Sequence, residues 1–144
     1  MNYKVVYFTR TGNCKRIAEK ISKELSCEMI QVMDNKKWTG PVGFIKGGFY
    51  STANKKVEIK MSDKIETYDE LVVISPLWAS GITPAIKSFL ETVPNDKVNL
   101  VISSIGSILK NATGYKSVSN IIKNQNNEEE VINNLLKTLL ENKD

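Results

Sequence analysis

The most informative stretch of this chain is residues 5–14, Val5-Val6-Tyr7-Phe8-Thr9-Arg10-Thr11-Gly12-Asn13-Cys14. They begin with an uninterrupted apolar run, residues 5–8, which is typical of a buried strand. From Cys14 onward, apolar residues recur at helical spacing, namely Ile17, Ala18, Ile21 and Leu25. The segment therefore predicts a strand that passes through a short polar turn into an amphipathic helix.

The turn at residues 9–14 has the composition of an anion-binding loop. The N–H groups of a helix start lack intrahelical partners, and the helix dipole favours negative charge there. Thr9, Thr11 and Asn13 add side-chain donors, and Gly12 permits a close approach or an unusual backbone angle. An ordinary helix cap formed by Thr11 or Asn13 explains the same residues equally well. The turn by itself leaves both interpretations open, a phosphate site and a capped helix.

The composition bounds the possible chemistry. A chain of 144 residues with 41% hydrophobic content suits a single domain spanning residues 1–144. The chain contains no histidine, which excludes Ser-His-Asp triads, Cys-His pairs and imidazole metal sites. Its two cysteines form no CxxC pair, and no apolar run resembles a bilayer span or a signal peptide. We therefore expect a cytoplasmic protein in which a cofactor performs any chemistry.

Apolar runs and helical patterns alternate along the chain, which predicts an α/β fold. We predict strands at residues 3–8, 28–33, 70–75, 98–104 and 116–122. The second run is mixed in polarity, which suits a sheet edge. The predicted architecture is a three-layer, doubly wound sandwich with a five-stranded parallel sheet in the order 2-1-3-4-5. Helices are predicted at residues 84–90 and 128–140, with a short one beginning at residue 107.

Residues 35–60 are the least regular part of the chain and carry a local excess of positive charge. A short helix around residues 44–50 and a short strand at 57–59 are predicted there. Seven lysines stand against two acidic residues between positions 35 and 64, while the whole chain has a net charge of +4. The aromatic residues of this segment form no known nucleic-acid recognition pattern. We therefore expect solvated lysines and no nucleic-acid partner.

Three loops are predicted to meet at one edge of the sheet. In an open sheet of this order, ligands bind beyond the carboxyl ends of the strands, where connections leave toward opposite faces. The loops at residues 9–14, 75–82 and 103–107 follow such strands. Trp78 in the second loop is placed to stack on a planar ring, although a buried core tryptophan is the ordinary alternative.

These loops resemble those of the flavodoxin family, and the likeness spans nearly the whole chain. Residues 9–14 are similar to the family's (S/T)-x-T-G-N-T loop for the FMN phosphate, with Cys14 in place of the last threonine. Residues 75–78 and 84–90 resemble its second flavin loop and the helix that follows. Residues 43–49 resemble a segment of one flavodoxin-like branch. The resemblance implies that the cofactor is FMN.

The resemblance also implies a role for each loop. The phosphate would be bound by the side chains of Thr9, Thr11 and Asn13 and by the backbone amides from Arg10 through Gly12 to Cys14. The isoalloxazine ring would contact the second loop, formed by Pro76, Leu77, Trp78, Ala79, Ser80 and Gly81. Its pyrimidine edge would contact Ser104, Ile105, Gly106 and Ser107.

Three features depart from the family pattern. Cys14 lacks the hydroxyl donor of a threonine, although its backbone N–H is kept. The third loop carries Ile105 where the family's electron carriers often place an aromatic residue, so the outer flavin face is expected to be open. Those carriers are typically acidic, whereas this chain is basic between residues 35 and 64.

The resulting hypothesis is an FMN-binding redox protein that passes electrons between a donor and an acceptor. Its partner would be a redox protein or a small molecule, and no side chain would be catalytic. Two alternatives stay open: an FMN reductase dependent on NAD(P)H or quinone, and a flavodoxin-shaped binding module without a cofactor.

Other classes with a similar strand order lack residues that they require. A low-molecular-weight phosphatase needs Cys-x5-Arg, but Lys20 stands at that distance from Cys14. A receiver domain needs carboxylates where Thr9 and Ser75 stand. A dinucleotide-binding domain needs G-x-G-x-x-G, of which only Gly12 is present.

Overall fold

Parallel strands form the centre of the sheet in the computed structural model, which describes residues 1–34, 58–78, 81–110 and 112–141. The strands are β1 (Tyr3–Tyr7), β2 (Met29–Asp34), β3 (Ile59–Met61), β4 (Glu70–Trp78), β5 (Gly81–Ile82), β6 (Val98–Ser104) and β7 (Ser117–Ile122). The described helices are α1 (Asn13–Leu25), α2 (Pro84–Leu90) and α3 (Glu128–Glu141), with 3-10 turns at Asn95–Lys97 and Lys123–Gln125.

The predicted strand order is confirmed. β2, β1, β4, β6 and β7 are parallel neighbours in that sequence, which is the order 2-1-3-4-5 of the predicted strands. Two short antiparallel strands extend this sheet, because β3 pairs with β2 and β5 folds back on β4. The predicted edge position of the second strand is wrong, since β3 covers its outer side and places Met61 opposite Val32.

Two other local predictions differ from the structure because of contacts made elsewhere in the fold. β4 continues to Trp78, beyond the predicted end at residue 75, because Leu77 and Trp78 pair with β5. The helix predicted from residue 107 is wrong, since residues 107–110 have no regular structure and the Leu109 N–H donates to Asn120 Oδ1 at 3.1 Å.

The remaining predictions concern the segment between β2 and β3. The helix expected around residues 44–50, and the family-like segment at 43–49, lie outside the described residues. So does Val57, the first residue of the strand predicted at 57–59, while Ile59 begins β3.

Side chains alternate between the two faces of β1 and thereby join two hydrophobic cores. Val5 and Tyr7 pack with α1 and α3 on one face, and Val6 and Phe8 pack with α2 on the other. Helices on both faces explain why the central strands are almost entirely apolar. The sheet thus becomes a rigid support that brings the carboxyl ends of β1, β4 and β6 to one edge.

Helix ends follow the signals in the sequence. Thr83 precedes α2 with Pro84 as its first residue, as predicted. α1 ends at Leu25, and the left-handed backbone of the following Ser26 (φ 51°) lets the Cys27 N–H donate to the Ser22 carbonyl at 3.1 Å. None of the helices in the described ranges is long and apolar enough to cross a membrane.

Candidate functional site

A pocket of about 780 Å³ opens at the carboxyl ends of the strands. The structure brings predicted residues of all three loops to its wall: Thr9, Arg10, Thr11, Asn13, Cys14, Pro76, Leu77, Trp78, Ser104 and Ile105. Gly12, Gly81, Gly106 and Ser107 belong to the same loops without lining the pocket, and Ala79 and Ser80 lie outside the described residues. The predicted convergence of the loops therefore exists as a shared cavity.

The first loop presents the start of α1 to this pocket without a side-chain cap. Gly12 holds the cap position with φ 96°, a left-handed conformation that favours glycine. The Gly12 N–H donates to Thr9 Oγ1 at 2.9 Å, which closes a tight turn before the helix. Neither Thr11 nor Asn13 caps α1, so the capped-helix interpretation is wrong. No side chain caps the start of α1, and the N–H groups of a first helical turn lack intrahelical partners.

Asn13 ties the first loop to the rest of the site. Its side-chain Nδ2 donates to Ser103 Oγ of β6 at 2.9 Å, and its Oδ1 accepts from Arg16 Nη2 at 2.9 Å. Both ends of the carboxamide are thus engaged within the protein. The role of this side chain as a phosphate ligand stays a prediction, while its role as a bridge is visible in the contacts.

Arg16 and Lys20 line the pocket beside this bridge and hold a carboxylate from α3. Arg16 donates to both oxygens of Glu128, Nη1 to Oε2 at 2.8 Å and Nη2 to Oε1 at 2.5 Å. Lys20 Nζ donates to Glu128 Oε2 at 3.0 Å. The hydrogen bonds from Arg16 are the main reason that the pKa of Glu128 falls from 4.5 to about 2.

Sequence reasoning missed this cationic pair. Arg16 and Lys20 follow Asn13 by three and seven residues, so all three occupy one helix face, and that spacing was a usable signal. Glu128 gave no comparable signal, because only the packing of α3 beside α1 brings it to residues more than a hundred positions earlier.

Cys14 lies in the core. Its side chain is 2% exposed and packs among the buried residues between the sheet and helices α1 and α3. Burial raises the pKa of the thiol to about 12, so it stays protonated at neutral pH. The departure from the family pattern at this position therefore concerns a buried group, and only the backbone of Cys14 is suited to contact a phosphate.

The second loop is shaped by a buried pair of hydroxyls. Ser75 Oγ and Thr83 Oγ1 are 3.1 Å apart, and Ser75 Oγ also donates to the Pro76 carbonyl at 2.9 Å. Trp78 is 6% exposed and packs edge-to-face on Phe8, with ring centroids 5.7 Å apart. Stacking of the Trp78 ring on a planar ligand thus requires the side chain to move.

The third loop is compact but presents an apolar surface. Ser104 Oγ donates to the Ser107 carbonyl at 2.5 Å, which closes a tight turn around Gly106. A Cβ at Gly106 would lie 3.0 Å from Asn124 Nδ2, so this position suits glycine for lack of room. Ile105 lines the pocket with 71% of its surface exposed.

The charges lining the pocket favour an anionic ligand. Arg10, Arg16, Lys20 and Lys123 stand against Glu128 and Glu129. Together with the uncapped start of α1, this excess of cations attracts a phosphate more than any neutral group. Within the described part of the chain, no cluster of three or more metal-ligating side chains is found.

Comparisons with known proteins place the fold. No protein family model and no curated protein matches the chain. Among solved structures, a flavoprotein from Lactobacillus acidophilus NCFM in complex with FMN superimposes with a TM-score of 0.63 at 20% identity, covering 90% of this chain and 97% of that one. The chain has a flavodoxin-like fold.

Two provisionally assigned flavoproteins share this flavodoxin-like fold. The protein from Bacteroides eggerthii DSM 20697 gives a TM-score of 0.69 at 20% identity, with coverage of 95% and 96% of the two chains. The protein from Bacteroides uniformis ATCC 8492 gives 0.66 at 18% identity, with coverage of 90% and 97%. At these identities the likeness concerns the fold, and the site must be argued from its own residues.

Proposed function

We propose that this chain is an FMN-binding redox protein that passes electrons between a donor and an acceptor. The observation that carries the proposal is the uncapped start of α1 behind Gly12, which faces a pocket at the switch point of the sheet. A solved flavoprotein of the same fold binds FMN, which supports the choice among phosphate-bearing ligands. The two free cysteines, Cys14 and Cys27, agree with a reducing, cytoplasmic setting.

The first loop would hold the phosphate of FMN. Thr9 Oγ1 accepts from the Gly12 N–H, so its hydroxyl proton is left to donate to a phosphate oxygen. The backbone amides of Arg10, Thr11, Asn13 and Cys14 and the exposed hydroxyl of Thr11 would complete the donors, while the Gly12 N–H stays bonded to Thr9 Oγ1. Fixed donors of this kind bind a dianion strongly because charge-assisted hydrogen bonds are stronger than neutral ones.

The second and third loops would contact the isoalloxazine ring. Pro76 to Trp78 supply one wall of the pocket, and Ser104 and Ile105 supply the facing one. When bound, FMN supplies one-electron and two-electron redox chemistry. The side chains of these loops would bind and orient the ring and tune its surroundings, which agrees with a chain that contains no histidine.

Titration of the purified protein with FMN tests the proposal. We expect quenching of FMN fluorescence and a yellow complex that survives gel filtration. Riboflavin, which lacks the phosphate, should bind at least about tenfold more weakly, because it makes no charge-assisted bonds to the first loop. A colourless protein that takes up no FMN would refute the proposal and favour a binding module without a cofactor.

A second candidate is an FMN reductase dependent on NAD(P)H or quinone. The exposure of Ile105 favours it, because no aromatic side chain covers the pocket from the third loop. Steady-state consumption of NAD(P)H in the presence of a quinone separates the two functions. An electron carrier shows almost no turnover without a partner protein, whereas a reductase turns over alone.

A further inference from the structure

We infer that Arg16, held by Glu128, positions the first loop, residues 9–14, through the side chain of Asn13. The inference rests on the proposed function and assigns positioning residues to the same site. These contacts join α3, α1 and β6 in a single chain of hydrogen bonds from Glu128 through Arg16 and Asn13 to Ser103.

Every link in this chain lies within hydrogen-bond distance. Arg16 meets the two Glu128 oxygens at 2.8 and 2.5 Å and Asn13 Oδ1 at 2.9 Å. Asn13 Nδ2 meets Ser103 Oγ at 2.9 Å. Asn13 is also the first residue of α1, so its backbone N–H is one of the donors offered to the pocket. Fixing its side chain at both ends therefore fixes the start of the helix relative to β6.

The geometry requires an arginine. A guanidinium presents several donors in one plane, which lets Arg16 contact both carboxylate oxygens and Asn13 Oδ1 at the same time. A lysine at this position keeps the charge but offers one nitrogen, which cannot span these three acceptors. Lys20 illustrates the difference, since its Nζ reaches only one Glu128 oxygen, at 3.0 Å.

Glu128 could act on a bound phosphate in two opposite ways. As a carboxylate lining the pocket it repels a dianion, and as the partner of Arg16 it holds the loop in shape. Arg16 and Lys20 both pair with this single carboxylate, so the group of three carries a net positive charge. The two cations thus compensate the repulsion between Glu128 and a bound phosphate, and the positioning effect dominates. Repulsion alone predicts that Glu128→Gln binds FMN more tightly, whereas loss of positioning predicts that it binds FMN more weakly.

Binding of FMN and of riboflavin to five proteins tests the inference: the wild type, Glu128→Gln, Arg16→Lys, the double variant that combines these two changes, and Glu130→Gln. We expect Glu128→Gln and Arg16→Lys each to weaken FMN binding about fivefold and to leave the riboflavin dissociation constant within about twofold. Glu130 belongs to the same first turn of α3 without lining the pocket, so Glu130→Gln is the matched loss of charge and should bind both ligands like the wild type. The double variant should be no weaker than either single one.

Each contrary result has a distinct meaning. Tighter FMN binding by Glu128→Gln overturns the inference and makes Glu128 a repelling charge. If the variants lose affinity for FMN and for riboflavin equally, the inference is overturned in favour of a general structural effect. If Arg16→Lys binds FMN as tightly as the wild type, it is overturned in favour of a role for positive charge alone. A wild-type protein that binds neither ligand refutes the proposed function itself, whereas wild-type FMN binding with unaffected variants refutes only the positioning role.

Discussion

Polar networks lie at both ends of the sheet, and they differ in what surrounds them. At the amino end, Asn99 Nδ2 donates to Glu70 Oε1 at 2.9 Å, Lys116 pairs with the other Glu70 oxygen, and Ser117 Oγ donates to Asn99 Oδ1 at 2.7 Å. Glu70 and Asn99 are both at most 3% exposed. This network joins β4, β6 and β7 inside the protein.

At the carboxyl end, the network from Glu128 to Ser103 borders an open pocket. Arg16 keeps about half of its side chain exposed, at 49%. Among the described residues, no buried side-chain polar atom lacks a partner, so the buried part of the amino-end network is satisfied. We therefore expect the buried network to contribute mainly to stability and the open network to arrange hydrogen-bond donors around the pocket. Changes at the two ends should therefore separate folding from ligand binding.

The largest effect is expected from Glu70→Ala at the amino end. Removal of this carboxylate deprives the buried Asn99 of one acceptor and the partly exposed Lys116 of its ion-pair partner, which should lower the free energy of unfolding by about 3 kcal/mol. The FMN dissociation constant should stay within about twofold of the wild type. Urea denaturation and FMN titration measure the two effects, with the exposed Glu66→Ala as control. Loss of FMN affinity in a folded Glu70→Ala protein would show that the ends are coupled.

A matched pair of glycines separates strain from function. Gly12 and Gly114 both have positive φ, 96° and 90°, and a Cβ at either would meet nothing within 4 Å. Alanine at either position should therefore cost about 1–2 kcal/mol of unfolding free energy through backbone strain alone. Only Gly12→Ala should also weaken FMN binding, by about tenfold, because relief of the strain shifts the phosphate loop. Equal FMN affinities in the two variants would contradict a role for residues 9–14 in phosphate binding.

Acid should remove the contribution of Glu128 at the carboxyl end. The pKa of Glu128 is lowered in the folded protein from 4.5 to about 2, mainly by the hydrogen bonds from Arg16. A carboxyl group whose pKa is lowered by folding stabilises the folded protein at any pH above its pKa in the unfolded chain. This stabilisation is lost as the pH falls from about 4.5 toward 2. The Arg16–Glu128 pair is partly exposed, so we expect it to contribute about 1 kcal/mol to the free energy of unfolding. In urea unfolding at pH 6, Glu128→Gln should therefore be less stable than the wild type by this amount, and the difference should vanish near pH 2. A deficit independent of pH would refute the assignment.

The smallest effect is expected at Cys14. Because its side chain lies in the core, Cys14→Ser should change the FMN dissociation constant by less than about twofold even though it restores a hydroxyl. Thr11→Val, which removes an exposed hydroxyl from the same loop, should weaken FMN binding severalfold. Fluorescence titration of both variants checks the contrast. Tighter FMN binding by Cys14→Ser would mean that this side chain reaches the phosphate.

Much of the fold was predictable from local patterns. The apolar run at residues 98–104 coincides with β6, and the N-terminal signal Thr83-Pro84 starts α2 where expected. Local pattern misled at residues 107–110, where helical spacing is overridden by the contact of Leu109 with Asn120. The local pattern also predicted an end of β4 at residue 75, which is too early. Pairing with β5 extends the strand through residues whose own sequence is typical of a loop.

Local sequence signals are sufficient to predict the parallel α/β sheet, the positions of its central strands and the three loops that meet at its carboxyl end. Periodicity and turn residues act over a few neighbouring positions, so they are readable in one dimension. Which side chains share the pocket depends on long-range packing. It buried Cys14, packed Trp78 on Phe8 and brought Glu128 to Arg16, which stand 112 residues apart. Such contacts arise because helices α1 and α3 pack on the same face of the sheet, and no local spacing encodes that meeting.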